Sequence, residues 1–235
     1  MLMENYVESF RVAAERSGAL AGGMSNYPLK IDPSFDIDMG LVVAEIAKEF
    51  SDFLPHTEVL PGNCFQISRE LSYIFFNLGI RHTITIGDVE LSDGLYLGLS
   101  VEKLVRDVTD ADKLDSVDNL PASKHAHAWI TLENGVVIDA TILASLHRKC
   151  STSMEVLTFE DAVYFSGKPN TPLIRHIPVM TGFVYHQKVL TAFRGEDLQN
   201  YSQWYEDYAL MMARLDLQRL TSNLKKLGAY AKKRR

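Results

Sequence analysis

One segment, residues 60–79, restricts the fold of this chain more than any other. Its sequence is LPGNCFQISRELSYIFFNLG. A Pro-Gly-Asn turn is expected to precede a helix that starts at or near Cys64 and stops at Gly79. Apolar residues surround most of this predicted helix: Phe65, Ile67, Leu71, Tyr73, Ile74, Phe75, Phe76 and Leu78. Because a helix that is apolar on nearly all sides lies in the centre of a fold, the remaining segments are expected to cover it.

The segments around this helix show both helical and strand patterns. Helices are predicted over 3–17 and 37–54, briefly within 158–165, and from Glu196 onward. Strands are predicted over 80–91, 94–99, 125–132, 136–142, 174–180 and 182–193. Residues 102–120 are acidic and predict a loop, which is a candidate lid. We therefore expect an α+β fold in which the buried helix packs on an antiparallel sheet, with further helices at both ends.

Length and cysteine usage limit the class of protein. A chain of 235 residues, 46% of them apolar, is expected to form one main domain without disulfide support. Cys64 and Cys150 are too few for a disulfide framework, which favours a reducing, cytoplasmic setting. No apolar run approaches the roughly 18 residues of a membrane span. Charged residues within the first twenty argue against export by a signal peptide.

Charge is distributed unevenly along the chain. Residues 214–235 hold eight Lys or Arg and one Asp, a net +7, whereas the whole chain is −6, so the remainder is −13. An acidic body argues against nucleic acid as the substrate of the main domain. The basic C-terminal tail is a candidate contact for an acidic partner, although cations also suit the end of a helix without any partner.

The last predicted helix is expected to follow the main domain as a separate segment. We expect a catalytic domain over 1–195, with its core at about 60–142, and a C-terminal amphipathic helix with a basic end over 196–235. Apolar and aromatic residues recur along that helix at heptad-like spacing: Leu198, Tyr201, Tyr205, Tyr208, Met212 and Leu215. This stripe favours docking on the domain, and a homodimer through the same helix is the alternative.

Three residues form a pattern that suits nucleophilic chemistry. Cys64 is expected at a helix N-terminus, where unpaired amide groups and the helix dipole favour a thiolate and could hold a developing oxyanion. His127 opens the strand HAWITL and is a candidate base. Asp139, on the next strand of the predicted hairpin, is the candidate group that orients the histidine.

Whether Asp139 can reach His127 depends on the hairpin loop. A two-residue Asn-Gly loop would pair Ile130 with Asp139 and turn Asp139 to the opposite face of the sheet. A three-residue Glu-Asn-Gly loop, with Gly135 in the left-handed region, would pair Trp129 with Asp139 and leave both candidate residues on one face. The proposed chemistry requires the three-residue loop or an equivalent bulge.

The stretches GNCFQISRELSYIFFNLGI and HAWITLENGVVIDAT resemble the core of the transglutaminase-like (papain-like) superfamily of cysteine enzymes. In that superfamily a cysteine opens the central helix, His-Ala-Trp begins one strand, and an Asp, often before Pro-Thr, lies on the next. This chain has Asp139-Ala140-Thr141, so the proline is missing. The resemblance covers about residues 60–142. Within the superfamily, this core is similar to bacterial cysteine peptidases and to leader peptidases of lasso-peptide pathways.

The resemblance implies a papain-like fold and a thiol-dependent acyl transfer on a peptide or protein amide: a peptidase, deamidase or transglutaminase-type transferase. Cys64, His127 and Asp139 would be catalytic, and no cofactor or metal would be needed. Asn63 and Gln66 are candidate oxyanion donors, and Trp129 is a candidate wall of the substrate channel. The alternative place for Trp129 is the core.

Two other functions stay open at this level. A catalytically inactive binding or scaffold protein could keep the fold and use the aromatic stripe of the last helix. A metal-dependent hydrolase could bind zinc through His125 and His127, which form an H-x-H pattern, together with Asp139. The other histidines stand alone and are expected to be structural or on the surface: His56, His82, His147, His176 and His186.

Overall fold

A computed structural model describes residues 2–22, 26–52, 57–110, 126–150, 157–166, 173–190 and 198–233. The α-helices are α1 (Leu2–Ala21), α2 (Met39–Asp52), α3 (Cys64–Leu78), α4 (Val101–Asp110), α5 (Ile142–Cys150), α6 (Phe159–Ala162) and α7 (Leu198–Lys233). A 3-10 turn covers Thr57–Val59 and a π-helical turn covers His186–Leu190. The strands are β1 (His82–Leu91), β2 (Gly94–Leu95), β3 (His127–Leu132), β4 (Val137–Asp139), β5 (Tyr164–Phe165) and β6 (Leu173–Thr181).

These six strands form one antiparallel sheet in the order β2-β1-β3-β4-β5, and β6 pairs with β1. β1 is the central strand, since it pairs with β2, β3 and β6. The register between β1 and β6 shifts between Ile86 and Gly87 and again between Glu90 and Leu91. The expected α+β class with an antiparallel sheet is therefore confirmed.

Helix α3 packs on one face of this sheet. Its first turn contributes Cys64 to a buried apolar cluster that also holds Ala126 and Ala128. Farther along the helix, Leu71 and Phe75 join a second cluster that includes alternate residues of β3 and β4. The helix ends at Gly79, whose φ of 66° is favourable for glycine and whose N–H bonds to the carbonyl of Phe76. The predicted central helix and both of its ends are confirmed.

Helix α7 covers the other side of α3. Six aromatic and apolar residues of this helix are buried, whereas Tyr205 of the predicted stripe is half-buried. The buried residues are Tyr201, Trp204, Tyr208, Met211, Met212 and Leu215. Trp204 Nε1 donates to Ser72 Oγ at 2.6 Å, and the Tyr208 hydroxyl donates to the carbonyl of His82. This half of the helix therefore docks on the domain, whereas Leu217 and Leu220 are exposed.

Two predicted segments have a different secondary structure, the predicted strand 94–99 is reduced to Gly94–Leu95, and helix α5 was not predicted. The first nine residues of the predicted loop 102–120 lie in α4, where the apolar residues Leu104 and Val108 are buried one turn apart; the remainder, 111–120, lies outside the described residues. The predicted strand 182–193 instead begins with a turn at Gly182 and continues into the π-helical turn. The four successive residues from Phe183 to His186 are all buried, so the alternation of a strand is missing.

No stretch of the described helices combines the length and the apolar character that crossing a bilayer requires. The side chains beyond residue 221 lie outside the described part of the chain. The proposed contact of the basic tail with an acidic partner therefore stays a prediction.

Gly87→Ala should lower the free energy of unfolding by about 3 kcal/mol, because the core there has no space for a methyl group. An added Cβ would overlap the carbonyl oxygen of Ile177 and lie 2.9 Å from the Trp129 ring. Urea denaturation measures the loss. Gly18→Ala is the control, since a Cβ at that helical position meets nothing within 4 Å and should be neutral or stabilising by up to about 1 kcal/mol. Equal effects of the two substitutions would contradict this account of the sheet.

Candidate active site

The β3–β4 hairpin has the register that the proposed chemistry requires. Ile130 pairs with Ile138 and Thr131 with Val137, so the connection is the three-residue loop. Gly135 has a φ of 88°, and its N–H donates to the carbonyl of Leu132 at 2.9 Å. Side chains two residues apart on a strand share a face. This register places Asp139 on the face of the sheet that carries His127.

Asp139 is fixed at the end of β4 by both of its carboxylate oxygens. Oδ1 accepts the backbone N–H groups of Thr141 and Ile142, each at 3.0 Å, and the Thr141 hydroxyl at 3.3 Å. Because Ile142 opens α5, this oxygen caps that helix. Oδ2 faces two histidines: His127 Nε2 at 2.6 Å and His176 Nε2 at 2.9 Å. Burial raises the pKa of Asp139, but the charge and hydrogen bonds of the histidines outweigh it, so the net pKa is well below the usual range.

His127 lies between Asp139 and Cys64. Burial lowers the pKa of its imidazole, but the Asp139 carboxylate, and after it a hydrogen bond and a charge interaction with the Cys64 sulfur, raise this pKa well above 6.5. Since Nε2 is bound to Asp139, Nδ1 is the ring nitrogen that remains for the sulfur. Tyr96 packs edge-on against the ring, with centroids 5.7 Å apart. The arrangement favours a protonated imidazole beside the sulfur.

Cys64 is the first residue of α3, as the sequence predicts, and its sulfur lies 3.9 Å from the carbonyl oxygen of Ala126. The residue is 8% exposed. Its neighbours Gly62, Asn63 and Gln66 are exposed, so solvent reaches the first turn of the helix from that side. The first helical bond runs from Ile67 N–H to the Asn63 carbonyl, which leaves the amides of residues 64–66 without an acceptor inside the helix.

The structure places the two candidate oxyanion donors differently. Asn63 directs its amide nitrogen to the carbonyl of Val59 at 2.6 Å, and its side chain makes no cap on α3. Gln66 is exposed on the first turn. Their roles stay predictions, and the Asn63 side chain would have to leave Val59 in order to donate to a substrate.

Trp129 lies in the core beneath the histidines. It is fully buried, and its indole N–H donates to the Tyr6 hydroxyl of α1 at 2.9 Å. Its ring packs edge-on against His176 with centroids 4.7 Å apart. In this structure Trp129 lies in the core and packs against the rings of His127 and His176, and its role as a channel wall stays a prediction.

His176 is the site residue that sequence analysis missed. It does not stand alone, because β6 pairs with β1 and brings it opposite Val89, where it is buried against Asp139. A histidine inside IRHIPVM, a run that is apolar apart from Arg175, was a signal of a buried polar partner. Burial lowers its pKa, despite the favourable Asp139 charge, so His176 is a neutral donor to the carboxylate.

Asp139 and its two histidines lie close enough together to be considered as metal ligands, since one ligand atom each of His127, Asp139 and His176 lies within 4.8 Å of the others. His125, the other proposed ligand, lies outside the described residues. Zinc ligands at about 2.0–2.2 Å from an ion would be about 3.3 Å apart in a tetrahedral site. The separations of 2.6 Å and 2.9 Å are those of hydrogen bonds, so an ion would require the side chains to move apart.

No protein-family model, curated protein or solved structure matches this chain. The resemblance to the transglutaminase-like superfamily therefore rests on the residues named in the sequence analysis and stays a prediction.

Asp139→Asn should lower the free energy of unfolding by about 3 kcal/mol near pH 5.5, because it removes one partner of a buried pair. The raised pKa of His127 contributes stability that is complete below its ordinary 6.5 and is lost as the pH rises through the higher folded value. The lowered pKa of Asp139 contributes stability that is complete above its ordinary 3.8 and is lost as the pH falls.

Urea unfolding across pH measures this effect. The difference between the native chain and Asp139→Asn should be largest from about pH 4 to 6.5 and shrink on either side. Asp88→Asn is the control for the loss of a buried carboxylate as such. Asp88 is also buried, but its carboxylate accepts hydrogen bonds from three backbone N–H groups. A difference for Asp139→Asn that stayed constant up to pH 10 would contradict an ion pair with His127.

Proposed function

We propose that this protein is a thiol-dependent acyl-transfer enzyme with a transglutaminase-like (papain-like) core, in which Cys64 is the nucleophile, His127 its base and Asp139 the orienting group. The observation that carries the proposal is the buried series of contacts from Asp139 Oδ2 through the His127 ring to the Cys64 thiol. A nucleophile within reach of a base, with a third group behind the base, is the arrangement that activates a thiol.

The reaction follows from these contacts. In the resting pair the proton of the thiol lies on His127 Nδ1, and the Cys64 thiolate attacks the carbonyl carbon of an amide to form a tetrahedral oxyanion. When the C–N bond breaks, His127 returns the proton to the leaving amine, and an acyl thioester remains on Cys64. Water then attacks the thioester, with His127 as base, and releases a carboxylic acid; a primary amine would instead form a new amide. Throughout, Asp139 holds the ring and stabilises the imidazolium.

The cost of burying charge supports an enzyme over an inactive scaffold. Removing a carboxylate and an imidazolium from water costs several kcal/mol for each ion before pairing. A protein that only bound a partner would gain no function from a protonated imidazole directed at a sulfur. Perturbed pKa values next to a nucleophile are concentrated at catalytic sites.

Alkylation of Cys64 by iodoacetamide at pH 6 tests the proposed pair. In a Cys150→Ser chain, Cys64 should react about tenfold faster than the same thiol in the urea-unfolded chain, because the imidazolium of His127 stabilises the thiolate. His127→Ala in that background should remove the advantage, with labelling read by mass spectrometry of the Cys64 peptide. Equal rates with and without His127 would overturn the proposal.

A metal-dependent hydrolase is the second candidate, favoured by the closeness of His127, Asp139 and His176. Hydrolysis of p-nitrophenyl acetate separates the two. Under the thiol proposal Cys64→Ala should reduce the rate to that of the uncatalysed reaction, and EDTA should have no effect. A rate that survives Cys64→Ala but is lost in EDTA and restored by zinc would establish the metal site instead.

A further inference from the structure

The segment after β6 turns sharply into the core near Cys64. Gly182 has a φ of 76°, and a Cβ there would lie 2.5 Å from the carbonyl oxygen of Asn26. The Asn26 side chain accepts the N–H groups of Phe183 at 2.8 Å and Val184 at 3.1 Å, and it donates to the carbonyl of Thr181 at 3.2 Å. These bonds fix the direction of the chain, so the next residue, Tyr185, enters the interior at a defined place.

Tyr185 lies against the first turn of α3. Its ring stacks on Phe65, the residue that follows Cys64, with centroids 5.6 Å apart and planes 9° apart. Tyr185 is 0% exposed and belongs to the same buried cluster as Cys64. Its hydroxyl has no hydrogen-bond partner among the residues that the structure describes. A buried hydroxyl without a partner costs about 1–3 kcal/mol, and a substrate atom that accepted a hydrogen bond from it would offset that cost.

The hydroxyl stays protonated in this environment. Burial, the Asp107 carboxylate and then Cys64 raise the pKa of Tyr185 well above its usual 10. A neutral phenol can donate one hydrogen bond, and the stack on Phe65 places the Tyr185 ring beside the first turn of α3, where the backbone amides of residues 64–66 lie. An oxyanion hole needs such donors, held in place before charge develops.

We propose that Tyr185 is a further catalytic residue, whose hydroxyl donates a hydrogen bond to the oxyanion that forms when the Cys64 sulfur attacks a carbonyl group. The inference rests on the proposed function, since it requires a covalent acyl intermediate on Cys64. The phenol keeps its proton throughout. Its hydrogen bond stabilises the negative oxygen while the S–C bond forms, and this hydrogen bond weakens when the C=O double bond is restored. The amide of Cys64 is the second donor.

Two reactions of the same sulfur separate this role from a structural one. Acylation by p-nitrophenyl acetate passes through a tetrahedral oxyanion, whereas alkylation by iodoacetamide is a displacement at carbon that forms none. Tyr185→Phe in the Cys150→Ser chain should slow acylation of Cys64 by about 100-fold and leave alkylation at pH 6 within about twofold. Release of p-nitrophenol and mass spectrometry of the Cys64 peptide measure the two rates.

Tyr205→Phe is the matched control. The Tyr205 hydroxyl is also buried without a hydrogen-bond partner among the described residues, and its ring contacts Phe183 and Trp204. Its loss should change neither rate. Acylation that is unchanged in Tyr185→Phe, or equal slowing of both reactions, would overturn the role of Tyr185. Absence of acylation in the parent chain itself would instead overturn the proposed function.

Discussion

The buried carboxylate of Asp139 connects more of this structure than any other group. An ionised carboxylate in the interior costs several kcal/mol unless donors surround it, and here its donors come from three places. Two backbone amides and a hydroxyl hold one oxygen at the start of α5, and two imidazoles from β3 and β6 hold the other. A single charge thus joins the end of β4 to α5 and to two further strands, and it orients His127 toward the sulfur.

The position of the sulfur depends on the central helix, which is covered on both sides. The sheet covers the face that includes Leu71 and Phe75, and α7 covers another through the bond from Trp204 to Ser72. With the body of the helix held in this way, its N-terminus is fixed against the start of β3. Unpaired amides, the Cys64 sulfur and the ring of Tyr185 then lie at one end of α3, where the helix dipole is positive.

Much of this arrangement could be predicted from local sequence. The buried helix between Cys64 and Gly79 and the β3–β4 hairpin follow from apolar spacing and turn residues, which act over a few neighbours. The predictions failed where composition concealed the spacing: α4 is acidic, yet Leu104 and Val108 are buried one turn apart. They failed again after Gly182, because the residues from Phe183 to His186 are buried in succession before the chain continues into a π-helical turn. The β-branched and aromatic residues of this segment have the composition of a strand.

The sequence by itself determined the local elements and the candidates Cys64, His127 and Asp139, because a helix start, a strand start and a hairpin are set by adjacent residues. It left open which face Asp139 would occupy, since a change of one residue in the loop reverses every side chain of the strand. Only the tertiary structure decided that, by placing Gly135 in the left-handed region. Likewise His176 and Tyr185 reach the site from over thirty-five residues away in sequence, through strand pairing and a turn that no local pattern specifies.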